Sequence, residues 1–72
     1  MEFYERLREI RQDRDMTQTE IAEILGTDQS YYSKYERGKH PMSIQDLTTL
    51  CAFYGVSADY VLGLPRGLAW PR

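Results

Sequence analysis

The side chains best suited to chemistry crowd into the stretch from Gln29 to Lys39. At about 100° of rotation per residue, Gln29, Ser30, Ser33, Lys34 and Arg37 share one side of a helix. Tyr32 and Tyr35 share the other, with Tyr31 and Glu36 at its edges. One side is apolar enough to pack; the other is a row of amides, hydroxyls and cations that donate and accept hydrogen bonds. Catalysis needs more than that. No nucleophile stands beside a base and no glycine loop would cradle a phosphate. A lone His40 and a lone Cys51 make no metal site. The expectation is recognition: no enzyme, no cofactor and no metal.

A row of this kind must be held outward by the elements before it. Thr17 and Glu20 form a capping box, each satisfying a backbone N–H in the first turn, and Met16 and Ile21 sit where a hydrophobic staple would close over it. Ile21, Ala22 and Leu25 face inward, and Gly26 ends this second helix. Thr27 or Asp28 caps the third helix almost at once, and Gly38 stops it. Helix, tight turn and helix in this order form a helix-turn-helix over residues 17–37, with residues 28–37 as the outer helix. The major groove of DNA admits one α-helix and presents base edges in distinguishable patterns. That is the surface such a row would suit.

The rest of the chain has the same punctuation. A first helix is expected from about Glu2 to Arg14, with Phe3, Leu7, Ile10 and Arg14 in one row and Asp15 closing it. Ser43 caps a fourth helix with Asp46 three residues on, and Met42 and Leu47 make its staple. Ile44, Leu47, Leu50, Cys51 and Tyr54 form its expected buried stripe, and Gly55 its end. Ser57 to Leu62 reads as a short fifth helix, stapled by Val56 and Val61 and stopped by Gly63 and Pro65. The expected fold is an all-α bundle of five helices over residues 1–64, followed by an irregular tail, 65–72. Seventy-two residues permit one small domain.

Charge bears on the reading from two sides. The net charge is −2 and the pI about 5.2, against the basic balance usual for nucleic-acid binding. Yet Lys34, Arg37 and Lys39 face only Glu36 between Gln29 and His40, while Glu2, Glu5, Glu9, Asp13, Asp15, Glu20 and Glu23 lie elsewhere. Phosphate contact depends on local potential, so a polarised surface is expected. One cysteine allows no internal disulfide, the charged MEFYER start is unlike a signal peptide, and no apolar run would span a membrane. A cytoplasmic setting with no membrane partner is expected.

The run TQTEIAEILGTDQSYYSKYERGKHPMSIQDLTTLCAFYGVSADYVLG resembles the lambda-repressor/Cro type of helix-turn-helix domain, also called the xenobiotic response element family. The likeness covers about residues 3 to 63 and rests on TQ–IA–LG, S–Y–KYERGK, P–S–L–L and GVS–DYVLG. It implies a five-helix bundle that binds double-stranded operator DNA, usually as a homodimer on a palindrome, and regulates transcription, here most simply as a repressor. By matching position, Gln18 is similar to a glutamine that contacts phosphate. Gln29, Ser30, Ser33 and Lys34 match base-reading positions, and Arg11 and Glu36 match a structural ion pair. Asp15 stands where glycine is common, and Tyr32 where a small aliphatic residue is common.

Arg37 and Lys39 are expected to add charge along the DNA backbone, and His40 a weak phosphate contact at best. Tyr31 has two readings, packing at the rim of the core or touching phosphate through its hydroxyl. Two other functions stay open: an antitoxin that represses its own operon and holds a partner protein, and an interaction module without DNA binding. Tyr60, Leu64, Leu68 and Trp70 are the candidate dimer surface.

Overall fold

The computed structural model describes residues 1–64, and the expected irregular tail, with Leu68 and Trp70, lies outside them. As expected, the described residues form five α-helices and no strand: α1 (Phe3–Asp13), α2 (Gln18–Leu25), α3 (Gln29–Glu36), α4 (Ile44–Tyr54) and α5 (Ala58–Leu62). Local side-chain chemistry starts each of the last four. Thr17, Asp28, Ser43 and Ser57 accept from the backbone N–H three residues on, which satisfies donors that a helix start leaves free. Asp28, not Thr27, is therefore the cap of α3. Asp15 closes the turn after α1 in the left-handed region, at φ 54°.

Two expectations about helix faces need correction. Arg14 does not continue the buried row of α1: the helix ends at Asp13, and Arg14 is exposed. Its stem is long enough to reach across the bundle, where its Nη2 donates to the Tyr54 carbonyl at 2.7 Å and its guanidinium sits 5.6 Å from the centre of the Tyr54 ring. A cation there also suits the carbonyl-rich end of α4. Ile44 does not join the stripe of α4 and is 82% exposed. It is the first residue of the helix, and helical side chains lean toward the N-terminus, so Ile44 projects past the end of the bundle. Leu50, Cys51 and Tyr54 are buried, with Leu47 packed against them.

The core joins Leu7 and Ile10 of α1, Ile21 and Ala22 of α2, Tyr32 and Tyr35 of α3, Leu50, Cys51 and Tyr54 of α4, and Val61 of α5. Each large side chain fully withdrawn from water contributes about 1.5–3 kcal/mol. Tyr32, Leu7, Ile21, Leu50 and Val61 are the largest of these, and one comes from every helix. Tyr32 is the unusual choice. Its ring fills the space beneath α3, but among the described residues its hydroxyl and that of Tyr54 are buried without a hydrogen-bond partner.

Helix α2 packs more extensively against α3 than any other pair of helices does. Ala22, 1% exposed, lets the two cross closely. Gly26 reverses the chain at φ 73°, a conformation that costs residues with a Cβ, and the Thr27 N–H then closes on the Ala22 carbonyl at 2.9 Å. These contacts fix the direction in which α3 presents its outer side.

Candidate nucleic-acid interface

Gln29, Ser30, Lys34 and Arg37 stand exposed on the outer side of α3, with Ser33 half-buried between them. Tyr32, Tyr35 and Glu36 turn inward. Burying Glu36, at 3% exposure, demands an ion partner. Arg11 supplies it as a fork: Nε donates to Oε2 at 2.7 Å and Nη2 to Oε1 at 3.0 Å. Its remaining Nη1 donates to the Met16 carbonyl at 2.8 Å. Arg11 thereby ties α1, the start of α2 and the end of α3 together.

Burial alone would push the Glu36 carboxyl up, but hydrogen bonds from Arg11 and Gln18, with the Arg11 charge, outweigh it and hold the group below the ordinary carboxylate range. The Arg11 guanidinium is raised in turn, chiefly by the same hydrogen bond. Burial pushes the Tyr54 hydroxyl up to about 12 and drives that of Tyr32 higher, where the nearby Glu36 charge adds to it. The Tyr32 hydroxyl lies near this carboxylate at a geometry that makes no hydrogen bond.

The ion pair continues outward. Gln18 Nε2 donates to Glu36 Oε1 at 2.9 Å, and Gln29 Nε2 donates to Gln18 Oε1 at 2.6 Å. A line of polar contacts therefore runs from Arg11, through Glu36 and Gln18, to the first residue of α3. From the sequence, Gln18 is expected at phosphate and Gln29 at bases, each by itself; in the fold the two amides hold each other. Only the distance between elements could have revealed it. Among the described residues Gln29 Oε1 accepts no hydrogen bond, and Nε2 carries a second N–H beyond the one given to Gln18, so the restrained amide offers both a donor and an acceptor.

At the other end of α3, Arg37 lies back along its own helix, its Nε 3.4 Å from the Ser33 carbonyl. Gly38, at φ 69°, turns the chain beneath the Tyr4 ring, so close that a Cβ there would meet Tyr4 at 2.5 Å. The Lys39 N–H closes the helix on the Lys34 carbonyl at 2.9 Å, and the Lys39 side chain stays exposed.

Tyr31, 37% exposed, has a third situation beyond the two expected: its hydroxyl is 2.7 Å from His40 Nε2. Beneath it the Tyr35 hydroxyl donates to Asp46 Oδ2 at 2.6 Å. Burial, then this bond, raise the Tyr35 hydroxyl. Lys34 on the outer side of α3, and Arg37 and Lys39 just after the helix, are exposed, while Glu36 is inside and paired with Arg11.

With this geometry in hand, comparison with known proteins decides the family. The helix-turn-helix family model matches residues 7–61. The chain belongs to the Cro/C1-type helix-turn-helix family. It is 36% identical over 62 residues to an uncharacterized HTH-type transcriptional regulator, YobD, of Bacillus subtilis (strain 168), covering 86% of this chain and 55% of that protein. It is 34% identical over 62 residues to the HTH-type transcriptional activator BcrR of Enterococcus faecalis, covering 86% of this chain and 30% of BcrR. The cryptic phage CTXphi transcriptional repressor RstR of Vibrio cholerae is 33% identical over 54 residues, 75% of this chain and 49% of RstR. The chain spans about half the length, or less, of these relatives. Among the described residues, no helix is long and apolar enough to cross a membrane.

Proposed function

We propose that this chain is the DNA-reading part of a transcriptional regulator, which lays the outer side of α3 in the major groove of its operator. The observation that carries this reading is the restrained Gln29 amide, held by Gln18 at 2.6 Å at the exposed start of α3. A carboxamide with one free acceptor and one free donor suits adenine, whose N6 amino group donates and whose N7 accepts. Ser30, Ser33 and Lys34 extend the contact along the groove, and lysine suits the O6 and N7 acceptors of guanine. The first N–H groups of α2 and any free hydrogen on Gln18 suit a phosphate, and Arg37 and Lys39 lie where the flanking backbone would pass.

Repression is the direction preferred here, since a protein seated in the groove blocks other proteins by occupancy alone; a relative named as an activator keeps the opposite sign as a result to be measured. A homodimer on a palindrome would set two α3 helices one DNA turn, about 34 Å, apart. Support for it comes from Tyr60, Leu62 and Leu64, which are 61%, 43% and 46% exposed at the end of the described residues.

The test compares Lys34→Ala and Lys39→Ala on the same set of duplexes. Lys34→Ala should weaken binding and change base preference. Lys39→Ala should weaken every sequence alike and lower the slope of log affinity against log salt by about one. Two variants that bind every duplex as the parent does would overturn this mode.

A further inference from the structure

One cluster beside the reading face has no place in that account. His40 follows Lys39 in the loop after α3, and its ring sits against two tyrosines of that helix. The ring centres are 4.9 Å from Tyr31 and 5.8 Å from Tyr35, and Tyr31 and Tyr35 are themselves 5.2 Å apart, edge to face. The hydroxyl of Tyr31 and Nε2 of His40 share one hydrogen at 2.7 Å. Both residues are exposed; Tyr31, on the helix, borders the side that carries Lys34.

Histidine is the side chain whose charge changes between about pH 5 and 8, and His40 is the one histidine of this sequence. When the neutral ring carries its proton on Nδ1, Nε2 accepts and the Tyr31 hydroxyl donates inward, to the ring. A protonated ring has N–H on both nitrogens. Nε2 must then donate, and the Tyr31 oxygen must accept. The phenolic hydrogen is released and can turn outward.

We propose that His40 couples DNA binding to proton uptake, its protonation turning the Tyr31 hydroxyl into an outward donor and adding a positive charge beside Lys39. This rests on the reading of α3 as the DNA-binding helix. Both effects favour a phosphate at the rim of the groove, so DNA and proton bind His40 and its surroundings cooperatively, each tightening the other. The charged and titratable groups around the ring are few. From α3 come Tyr31, Tyr35 and, one turn along, Lys34. The loop contributes Lys39, which opposes the added charge. From α4 comes Asp46, one ring away on the Tyr35 hydroxyl, which favours it. The bound phosphate joins Asp46 in favouring the cation, and that addition makes the coupling appear only on DNA.

The experiment measures affinity for a duplex selected by the parent protein, at constant salt, from about pH 7.5 to about pH 5.5. Proton uptake by the ring on DNA gives a tightening of roughly two- to fivefold across that range. His40→Gln keeps a polar group of similar reach but no titrating charge, and should bind with no such slope. Tyr31→Phe keeps the ring packing and loses the hydroxyl, and should show a shallower slope than the parent. In parallel, at a fixed pH within this range, adding the duplex should move the imidazole proton resonance of the parent toward its acid-limit position. A parent that binds with a flat pH profile, or a His40→Gln variant with the full slope, overturns the coupling. A Tyr31→Phe variant with the parent's slope overturns the role of the hydroxyl. A parent that binds no duplex at any pH contradicts the DNA reading itself, which is a different failure.

Discussion

Within one eight-residue helix, Tyr32 and Glu36 are 0% and 3% exposed, while Gln29, Ser30 and Lys34 stand in solvent. The inner residues are fastened to three other helices: Tyr32 and Tyr35 by packing, Glu36 by the Arg11 fork and the Gln18 amide. Of the outer residues, Gln29 is tied to another helix through the Gln18 amide. The contrast separates two tasks. Orientation of α3 is a property of the core, so changes there cost stability. On the proposed reading, selectivity belongs to the exposed side chains, so changes there should alter what is bound and leave the bundle intact.

The largest expected effect breaks the inner side. Glu36→Ala leaves the Arg11 guanidinium without its partner where that side chain is 11% exposed. Removing one member of a well-buried pair costs about 3–5 kcal/mol, a large share of the total stability of a small domain. Urea unfolding at neutral pH reads it. Acid should do to the parent by titration what the substitution does by mutation. The folded Glu36 carboxyl is held below its unfolded value, so its contribution is fully present above about pH 4.3, the ordinary glutamate value. It is lost as pH falls through the lower folded value. The stability gap between parent and Glu36→Ala should therefore narrow below about pH 4.

An intermediate effect concerns the outer side. Gln29→Ala removes no core contact, and unfolding should move by no more than about 0.5 kcal/mol. Binding to a selected duplex should fall by about 1–3 kcal/mol, the worth of one bidentate base contact, and preference at a single base pair should relax. Titration of a labelled duplex, read beside the urea curve, keeps the two quantities apart. If Gln29→Ala lost stability in proportion to binding, the division of α3 into two sides would fail.

The smallest effect sharpens the inner side. The Tyr32 hydroxyl is buried without a hydrogen-bond partner, and an unsatisfied buried hydroxyl costs about 1–3 kcal/mol. Tyr32→Phe keeps the ring and should leave stability unchanged or raise it by about 1 kcal/mol, measured by urea unfolding. A clear loss would mean that the hydroxyl helps to hold Glu36.

The parts of this molecule that were legible in the sequence are local. Thr17 with Glu20, Ser43, Ser57 and Gly26 act on backbone groups within a few residues of themselves, so their positions suffice to place helix ends. Tyr32 and Tyr35 were legible as an inner face because the helix repeat puts them together. Ile44 was misread because burial at the first residue of a helix depends on whether another element reaches that far. Arg14 was misread because a long stem can leave its own helix for the end of α4. The Gln18–Gln29 contact and the His40–Tyr31 pair join separate elements and depend on the angle of a turn, which no spacing encodes.

The claim that the outer side of α3 reads DNA sequence has one most direct test: selection of bound duplexes from a random-sequence pool by the parent protein. The account expects a recovered pool with inverted half-sites whose centres are about 34 Å apart, each with adenine at the position that faces Gln29. A pool that stays random through successive rounds, with binding set by salt alone, would contradict it.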